Sequence, residues 1–239
     1  MSILQGAAIA GILFFSVLVR SSIGFGLGLV AMPLTVFVLG VREASPLVAI
    51  VSLVVSLLIL LQDRKSIACK PLWKLGLAAV VGIPVGVLLL QHAPEEVLRL
   101  VLGGFVIGFA LFGLLRKNLE RLRHRALVYM LGFLGGVLGG AFNIGGPPVI
   151  AFAAIQGWSP QVFRATLQGF FLISGAVVVA GHGVAGLWAE NLPCLLLWCL
   201  PFSVLAVFIG RGINKRIPHD RFRTVVYIVL ILLGVSLLV

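Results

Sequence analysis

Long apolar stretches, separated by short polar or basic segments, make up most of the chain. A helix needs about 20 apolar residues to cross a membrane, and most of these stretches approach or exceed that length. The apolar segments cover residues 3–39, 45–61, 73–91, 95–115, 126–155, 160–181, 192–211 and 222–239. The pattern therefore predicts an all-α fold, a polytopic helical bundle within a membrane.

Two of these segments are too long for one crossing. As single helices, residues 3–39 would extend over about 55 Å and residues 126–155 over about 45 Å, whereas the hydrocarbon core is about 30 Å thick. Glycine and proline, which disfavour a continuous helix, lie inside both segments. We predict that each segment is a hairpin, in which a helix, a break and a second helix return to the same side.

Basic residues set the expected orientation. Most of the 18 Lys and Arg residues lie in three loops, at residues 64–74, 116–125 and 211–223. The positive-inside rule places all three loops in the cytoplasm, which requires residues 126–155 to be a hairpin rather than a single crossing. Both chain ends are then expected outside.

Composition agrees with a membrane protein. The chain is 61% hydrophobic and 10% charged, with a mean hydropathy of +1.20, so it has too little polar surface for a water-soluble globule. The net charge of +11 follows from the cytoplasmic loops and does not indicate nucleic acid binding. The first residues have neither a basic region nor a cleavage site, so we expect no removable signal peptide.

The two halves of the chain resemble each other. Similar spacings relate Pro33 to Pro148, Gly40 to Gly157, Gly86 to Gly210 and Pro94 to Pro218. We predict two repeats, residues 1–118 and 119–239, each made of one broken-helix hairpin and three transmembrane helices. An odd number of crossings inverts the second copy, as in many secondary transporters.

The second hairpin contains the sequence GGAFNIGGPP at residues 139–148. Proline suits the first turn of a helix, so a half-helix should begin near Pro147 with its N-terminus inside the membrane. The partial positive charge there and free amides at residues 144–146 would suit an anion. The predicted binding residues are Asn143, whose side chain adds a donor, with Ile144, Gly145, Gly146, Pro147 and Pro148. A glycine-rich packing surface is the alternative.

The first hairpin carries a weaker copy of this pattern. Helix packing alone would explain its glycines, but an interrupted segment at the corresponding position of each half points to a transporter site. The candidate binding residues in this copy are Gly24, Phe25, Gly26, Gly28, Met32 and Pro33. Elsewhere, the spacings of Gly82 with Gly86 and of Gly132 with Gly136 and Gly140 predict close helix packing.

Isolated polar residues within apolar segments leave alternatives open. Arg20 could bind an anionic substrate or could extend its side chain to cytoplasmic water. Thr166 and Gln168 could line a cavity or could form hydrogen bonds between helices. Arg164 is most simply a cytoplasmic anchor, and His182 could serve in proton movement or as an interface residue.

Acidic residues are confined to segment ends and loops. No carboxylate remains at mid-membrane to bind a cation, which disfavours cation transport. Neither a metal site nor paired catalytic carboxylates are indicated, so we expect no metal, no cofactor and no enzymatic activity. The three cysteines, Cys69, Cys194 and Cys199, show no disulfide or metal-binding pattern.

Residues 24–34 and 139–149 together resemble the two signature repeats of the TauE/SafE sulfite-exporter family, also called the four-toluene-sulfonate uptake permease family. The similarity extends over nearly the whole chain in length and repeat layout. The first copy departs from the second, because Met32 stands where the second has Pro147.

The resemblance implies a permease in the bacterial cytoplasmic membrane that moves small anions such as sulfite or organosulfonates, coupled to protons or to the membrane potential. Small carboxylates such as lactate are an alternative substrate class. A passive anion channel is a further alternative, since it would use the same positive helix ends. The sequence leaves open whether the chain forms a homodimer.

Overall fold

A computed structural model describes residues 3–63, 66–115, 125–214 and 219–238. These residues form helices without any strand, so the all-helical prediction is confirmed. In chain order the helices are α1 (Ile3–Ile23), α2 (Leu27–Asp63), α3 (Cys69–His92), α4 (Glu95–Leu114), α5 (Arg125–Phe142), α6 (Gly146–Gln156), α7 (Pro160–Val184), α8 (Leu192–Asn214) and α9 (His219–Leu238). Six of the described helices are long and apolar enough to cross a membrane, and the chain is a multi-pass membrane protein.

Both overlong segments are interrupted. The first break lies between the end of α1 at Ile23 and the start of α2 at Leu27, and the second lies between Phe142 and Gly146. The first break is shorter than predicted, because Met32 and Pro33 lie inside α2. Proline is tolerated within a membrane helix when neighbouring helices and polar side chains satisfy the freed backbone groups.

Helix α2 runs through the region where two separate helices were predicted. Gly40 interrupts it, with a non-helical backbone (φ 77°, ψ 169°). The next amide, that of Val41, donates a 2.6 Å hydrogen bond to Glu95 Oε1, which supplies the partner that a new helix start lacks. Helix α2 therefore has two parts, a returning arm (residues 27–39) and a spanning part (residues 41–63).

The predicted glycine packing joins α3 to α5. A Cβ atom on Gly86 would overlap the carbonyl oxygen of Val137, and a Cβ atom on Gly136 would overlap that of Ala79. The two backbones therefore touch directly, which only glycine permits at these positions. Helix α1 packs on α8 and α4 packs on α9, and most buried apolar residues belong to a single core.

The basic loops that set the expected orientation lie largely outside the described residues. Lys70, Lys74 and Arg211 belong to the described part of the chain, and all three are exposed. The other residues of these loops are Arg64, Lys65, Arg116, Lys117, Arg121, Arg123, Arg125, Lys215, Arg216, Arg221 and Arg223, whose side chains the structure does not describe. The orientation in the membrane stays a prediction.

Candidate functional site

The two helix breaks meet inside the bundle. Gly24 and Gly26 of the first break have φ of 91° and 102°, and Asn143 of the second break has φ of 56°. These left-handed conformations turn the chain sharply between each pair of helices. A Cβ atom on Gly28 would overlap the carbonyl oxygen of Asn143, so the start of α2 lies against the second break.

A cavity lies where the breaks meet. It is small, with a volume of about 20 Å³, and it is partly open to the surface. Its walls come from the first break and the start of α2 (residues 25–29), from the second break and from three side chains outside the breaks. The lining residues beyond 25–29 are Asn143, Ile144, Gly146, Pro147, Arg20, Ser52 and Phe171.

Arg20 is buried at this cavity, with 1% of its surface exposed. Its Nη1 atom donates to the Ser52 hydroxyl at 2.7 Å and to the Ser52 carbonyl at 3.3 Å. Its Nη2 atom donates to Ser56 Oγ at 2.6 Å and to Gln168 Oε1 at 2.7 Å. The side chain therefore points into the protein and does not extend to water in this structure.

The guanidinium group of Arg20 has no acidic partner among the described residues. All its hydrogen-bond acceptors are neutral oxygens, and the buried Nε atom has no hydrogen-bond partner. The guanidinium carbon lies 4.5 Å from the centroid of the Phe171 ring, whose negative face favours a cation. A buried cation normally requires a counter-charge, and none is present in the described part of the chain.

The second break is held by hydrogen bonds to the spanning part of α2. The side-chain amide of Asn143 donates to Ser45 O at 2.7 Å and to Ser45 Oγ at 3.0 Å. Ser45 Oγ in turn donates to the carbonyl of Ala141. The predicted side-chain donor of Asn143 is thus used within the protein, although the residue lines the cavity.

The backbone donors differ from the prediction at Ile144. Its amide donates to the carbonyl of Leu138 at 3.2 Å and is therefore not free. Pro147 and Pro148 have no amide hydrogen, which leaves α6 with few donors at its start. The first turn of α2 has no proline, and its residues Leu27, Gly28 and Leu29 line the cavity. Amides in the first turn of a helix lack partners within that helix.

The remaining predicted site residues do not line the cavity. Gly145 packs on α5, where a Cβ atom would lie 2.7 Å from the carbonyl oxygen of Gly135. Thr166 Oγ1 accepts a hydrogen bond from the amide of Ala68 at 2.9 Å. The predicted residues that do not line this cavity are Gly24, Met32, Pro33, Gly145, Pro148, Thr166 and Gln168. Gly24 and Gln168 still take part in the site, because they are bonded to each other and Gln168 is bonded to Arg20.

Sequence reasoning missed Ser52, Ser56 and Phe171, and also Leu27 and Leu29 at the start of α2. The two serines are four residues apart in α2, so they lie on one helix face and both reach Arg20. Their signal was a pair of polar residues at helical spacing inside an apolar segment. Phe171 carried no comparable signal, because a single aromatic residue in a membrane helix is unremarkable.

A bundle of apolar helices with an internal cavity between two broken helices is typical of multi-pass membrane transporters. The chain belongs to the sulfite exporter TauE/SafE family, whose model matches residues 8–237. A relative from Cupriavidus necator is 29% identical over 226 residues, which cover 90% of this chain and 86% of the relative. That protein is named "Probable sulfite/organosulfonate exporter TauE". No solved structure matches the chain at a significant level.

Proposed function

We propose that the chain is a secondary transporter, a permease for small anions, with sulfite or an organosulfonate as its substrate. The observation that supports this most directly is Arg20, a buried cation at the wall of the cavity with only neutral partners among the described residues. A bound anion would supply the missing counter-charge. The four Nη hydrogens are used by Ser52, Ser56 and Gln168, so Arg20 offers an anion its positive charge and its unpaired Nε–H group.

The helix starts add to the attraction for an anion. The N-termini of α2 and α6 both lie at the cavity, and each carries a partial positive charge. The backbone amides of Leu27, Gly28 and Leu29 can donate to an anion. The prolines of α6 have no amide hydrogen, so α6 attracts an anion mainly through its helix dipole. We assign the larger share of anion contacts to Arg20 and the first break.

An inverted repeat is the proposed basis of transport. The pairings of α1 with α8 and of α3 with α5 are equivalent if residues 1–118 and 119–239 are two inverted copies. Gly40 and Gly157, which follow the returning half-helices, both have positive φ, 77° and 65°. Such repeats support alternating access, in which two halves of a transporter move around a fixed site.

The substrate class follows the relative that carries a sulfite/organosulfonate exporter name. The residues that line the cavity suit such a substrate, since they include the cation Arg20, residues with amide donors and the aromatic residues Phe25 and Phe171. The expected location is the bacterial cytoplasmic membrane, and the chain is expected to act as a transporter rather than as an enzyme.

Counterflow in proteoliposomes tests the proposal. We expect saturable uptake of labelled sulfite or methanesulfonate that is accelerated by the same anion inside the vesicles. Arg20→Met should abolish this uptake, and Arg20→Lys should retain part of it, because lysine keeps the charge but loses the planar donor group.

Lys74→Gln is the matched control, since it removes one exposed positive charge from a residue that does not line the cavity and should leave uptake unchanged. An electrical current that does not saturate with anion concentration would show that the protein is an anion channel rather than a carrier. If the protein takes up lactate and neither sulfite nor methanesulfonate, its substrate class is small carboxylates. Normal sulfite uptake by Arg20→Met would overturn the assignment of the site.

A further inference from the structure

Gln168 connects the cation of the site to the first helix break. It lies on α7, fully buried, and does not line the cavity. Its Oε1 atom accepts a hydrogen bond from Arg20 Nη2 at 2.7 Å, and its Nε2 atom donates to the carbonyl oxygen of Gly24 at 2.7 Å. One amide group therefore bridges a charged side chain and the backbone of the break.

The chemistry of its partners fixes the orientation of this amide. Arg20 can only donate and the carbonyl of Gly24 can only accept, so the oxygen of Gln168 must face Arg20 and its nitrogen must face Gly24. A reversed amide would lose both hydrogen bonds inside the protein, where unpaired polar groups are costly. Gln168 thus holds the two partners in a single arrangement.

The neutrality of Gln168 matters as much as its geometry. Glutamate has nearly the same shape and would bind the guanidinium of Arg20 more strongly, since both partners would be charged. It would also supply a permanent counter-charge and so weaken the attraction of Arg20 for an anion. An amide aligns the cation without neutralising it.

The hydrogen bond to Gly24 also bears on the cavity wall. Gly24 precedes Phe25, whose ring lines the cavity and makes edge contacts with the rings of Phe109 and Phe163. Fixing the carbonyl of Gly24 therefore fixes the chain where the ring of Phe25 begins. Gln168 therefore links Arg20 to this part of the cavity wall through two hydrogen bonds.

We propose that Gln168 is a positioning residue for transport, whose neutral amide keeps Arg20 aligned, leaves its positive charge uncompensated and ties it to the first break. The residue acts through Arg20 and Gly24 and does not itself bind the anion. This role rests on the proposed function, because it assumes that Arg20 attracts the transported anion.

Two substitutions separate this role from a merely structural one. Gln168→Glu keeps an acceptor for Arg20, loses the hydrogen bond to Gly24 and adds a negative charge. Gln168→Met removes both hydrogen bonds and adds no charge. We expect Gln168→Glu to weaken the binding of sulfite and methanesulfonate at least about tenfold and to raise KM. Gln168→Met should mainly lower the maximal rate, because the break is released while the cation remains. A structural role predicts the opposite order, with Gln168→Met the more damaging.

Binding is measured by calorimetry on the purified full-length protein, and rates are measured by counterflow in proteoliposomes. Ser174→Ala is the control on the same helix, since Ser174 donates only to Phe170 one turn earlier, and it should behave as wild type. Size-exclusion chromatography establishes that each variant is folded. If Gln168→Met does not fold, Gln168→Glu decides alone, and affinity within about twofold of wild type overturns the role.

The failures of the two proposals are distinguishable. A wild-type protein that binds neither sulfite nor methanesulfonate refutes the proposed function. A wild-type protein that transports them, with Gln168→Met weakening affinity as much as Gln168→Glu does, leaves the function standing and refutes the role of Gln168.

Discussion

The burial of Arg20 is supported by hydrogen bonds to oxygen atoms that carry no charge. Removing a charged group from water costs several kcal/mol, and each hydrogen bond from a charged donor returns about 1.5–3 kcal/mol. The bonds to Ser52, Ser56 and Gln168 are therefore of the right size to hold the side chain inside the protein. They leave its positive charge in place, which an acidic partner would have cancelled.

The contact between Gly28 and Asn143 leads to a prediction at the scale of one residue. Gly28→Ala adds a methyl group that would overlap the carbonyl oxygen of Asn143, so the two breaks must separate. We expect a loss of at least about tenfold in the counterflow rate, because misplacing binding groups by about 1 Å is enough for larger losses.

Gly108→Ala is the matched control for this prediction. Gly108 lies in α4, and a methyl group there would meet no atom within 4 Å. Its counterflow rate should equal that of the wild type. Equal rates for Gly28→Ala and wild type would show that the contact between the breaks is not needed for transport.

Single residues of the site could be predicted to different degrees. Arg20 and Gln168 stood out as polar residues in apolar segments, but the sequence could not show that they bond to each other across 148 positions. The amide of Ile144 was expected to be free, yet it closes the end of α5 by bonding to Leu138. Such details depend on local backbone geometry that glycine leaves undetermined.

At the scale of helices, the lengths of the apolar segments showed which two segments must be interrupted but not at which residues each break begins and ends. The thickness of the membrane requires residues 3–39 and 126–155 to be interrupted, and both are. Proline was expected to mark the first break, but Pro33 lies within α2. The backbone of α2 leaves helical geometry instead at Gly40, and the following amide, that of Val41, donates to Glu95 of α4.

Gly40 joins the returning arm of α2 to its spanning part, and a substitution there tests this junction. With φ of 77° and ψ of 169°, Gly40 has a conformation that is essentially restricted to glycine, and another residue would cost about 1–3 kcal/mol. A Cβ atom would also lie 3.1 Å from Glu95 Oε1. Gly40→Ala should therefore lower the melting temperature and slow counterflow.

Gly104→Ala is the comparison for Gly40→Ala. Gly104 is helical, and a methyl group there meets nothing within 4 Å, so its melting temperature should not fall. Both melting temperatures are measured by circular dichroism in the same detergent. A melting temperature for Gly40→Ala equal to that of wild type would show that the junction accommodates a side chain without strain.

Across the whole molecule, similar helix pairings accompany a site that is not symmetric. Helix α1 pairs with α8 and α3 pairs with α5, as two inverted copies would require. The cation comes from residues 1–118, and Gln168, which accepts a hydrogen bond from it, comes from residues 119–239. A transporter built in this way needs both halves to complete one binding site, so neither half is expected to bind the anion alone.

The orientation of the molecule can be tested with its own cysteines. The amide of Ala68, just before α3, donates to Thr166, so Cys69 lies near the start of α7. The start of α8, with Cys194, follows the other end of α7. Both cysteines are exposed, and Cys199 is buried. If the basic loops face the cytoplasm, a membrane-impermeant maleimide should label Cys194 from outside and Cys69 only in inside-out vesicles.

The single substitutions Cys69→Ser and Cys194→Ser assign each signal to its residue, and Cys199 should stay unlabelled in folded protein. Labelling of Cys69 in intact cells would reverse the orientation inferred from charge. The first break lies near the start of α7, since a Cβ atom on Gly24 would be 3.5 Å from the Arg164 side chain. Labelling of Cys69 from inside therefore also places the first break toward the cytoplasm, and Arg20 would attract anions from that side.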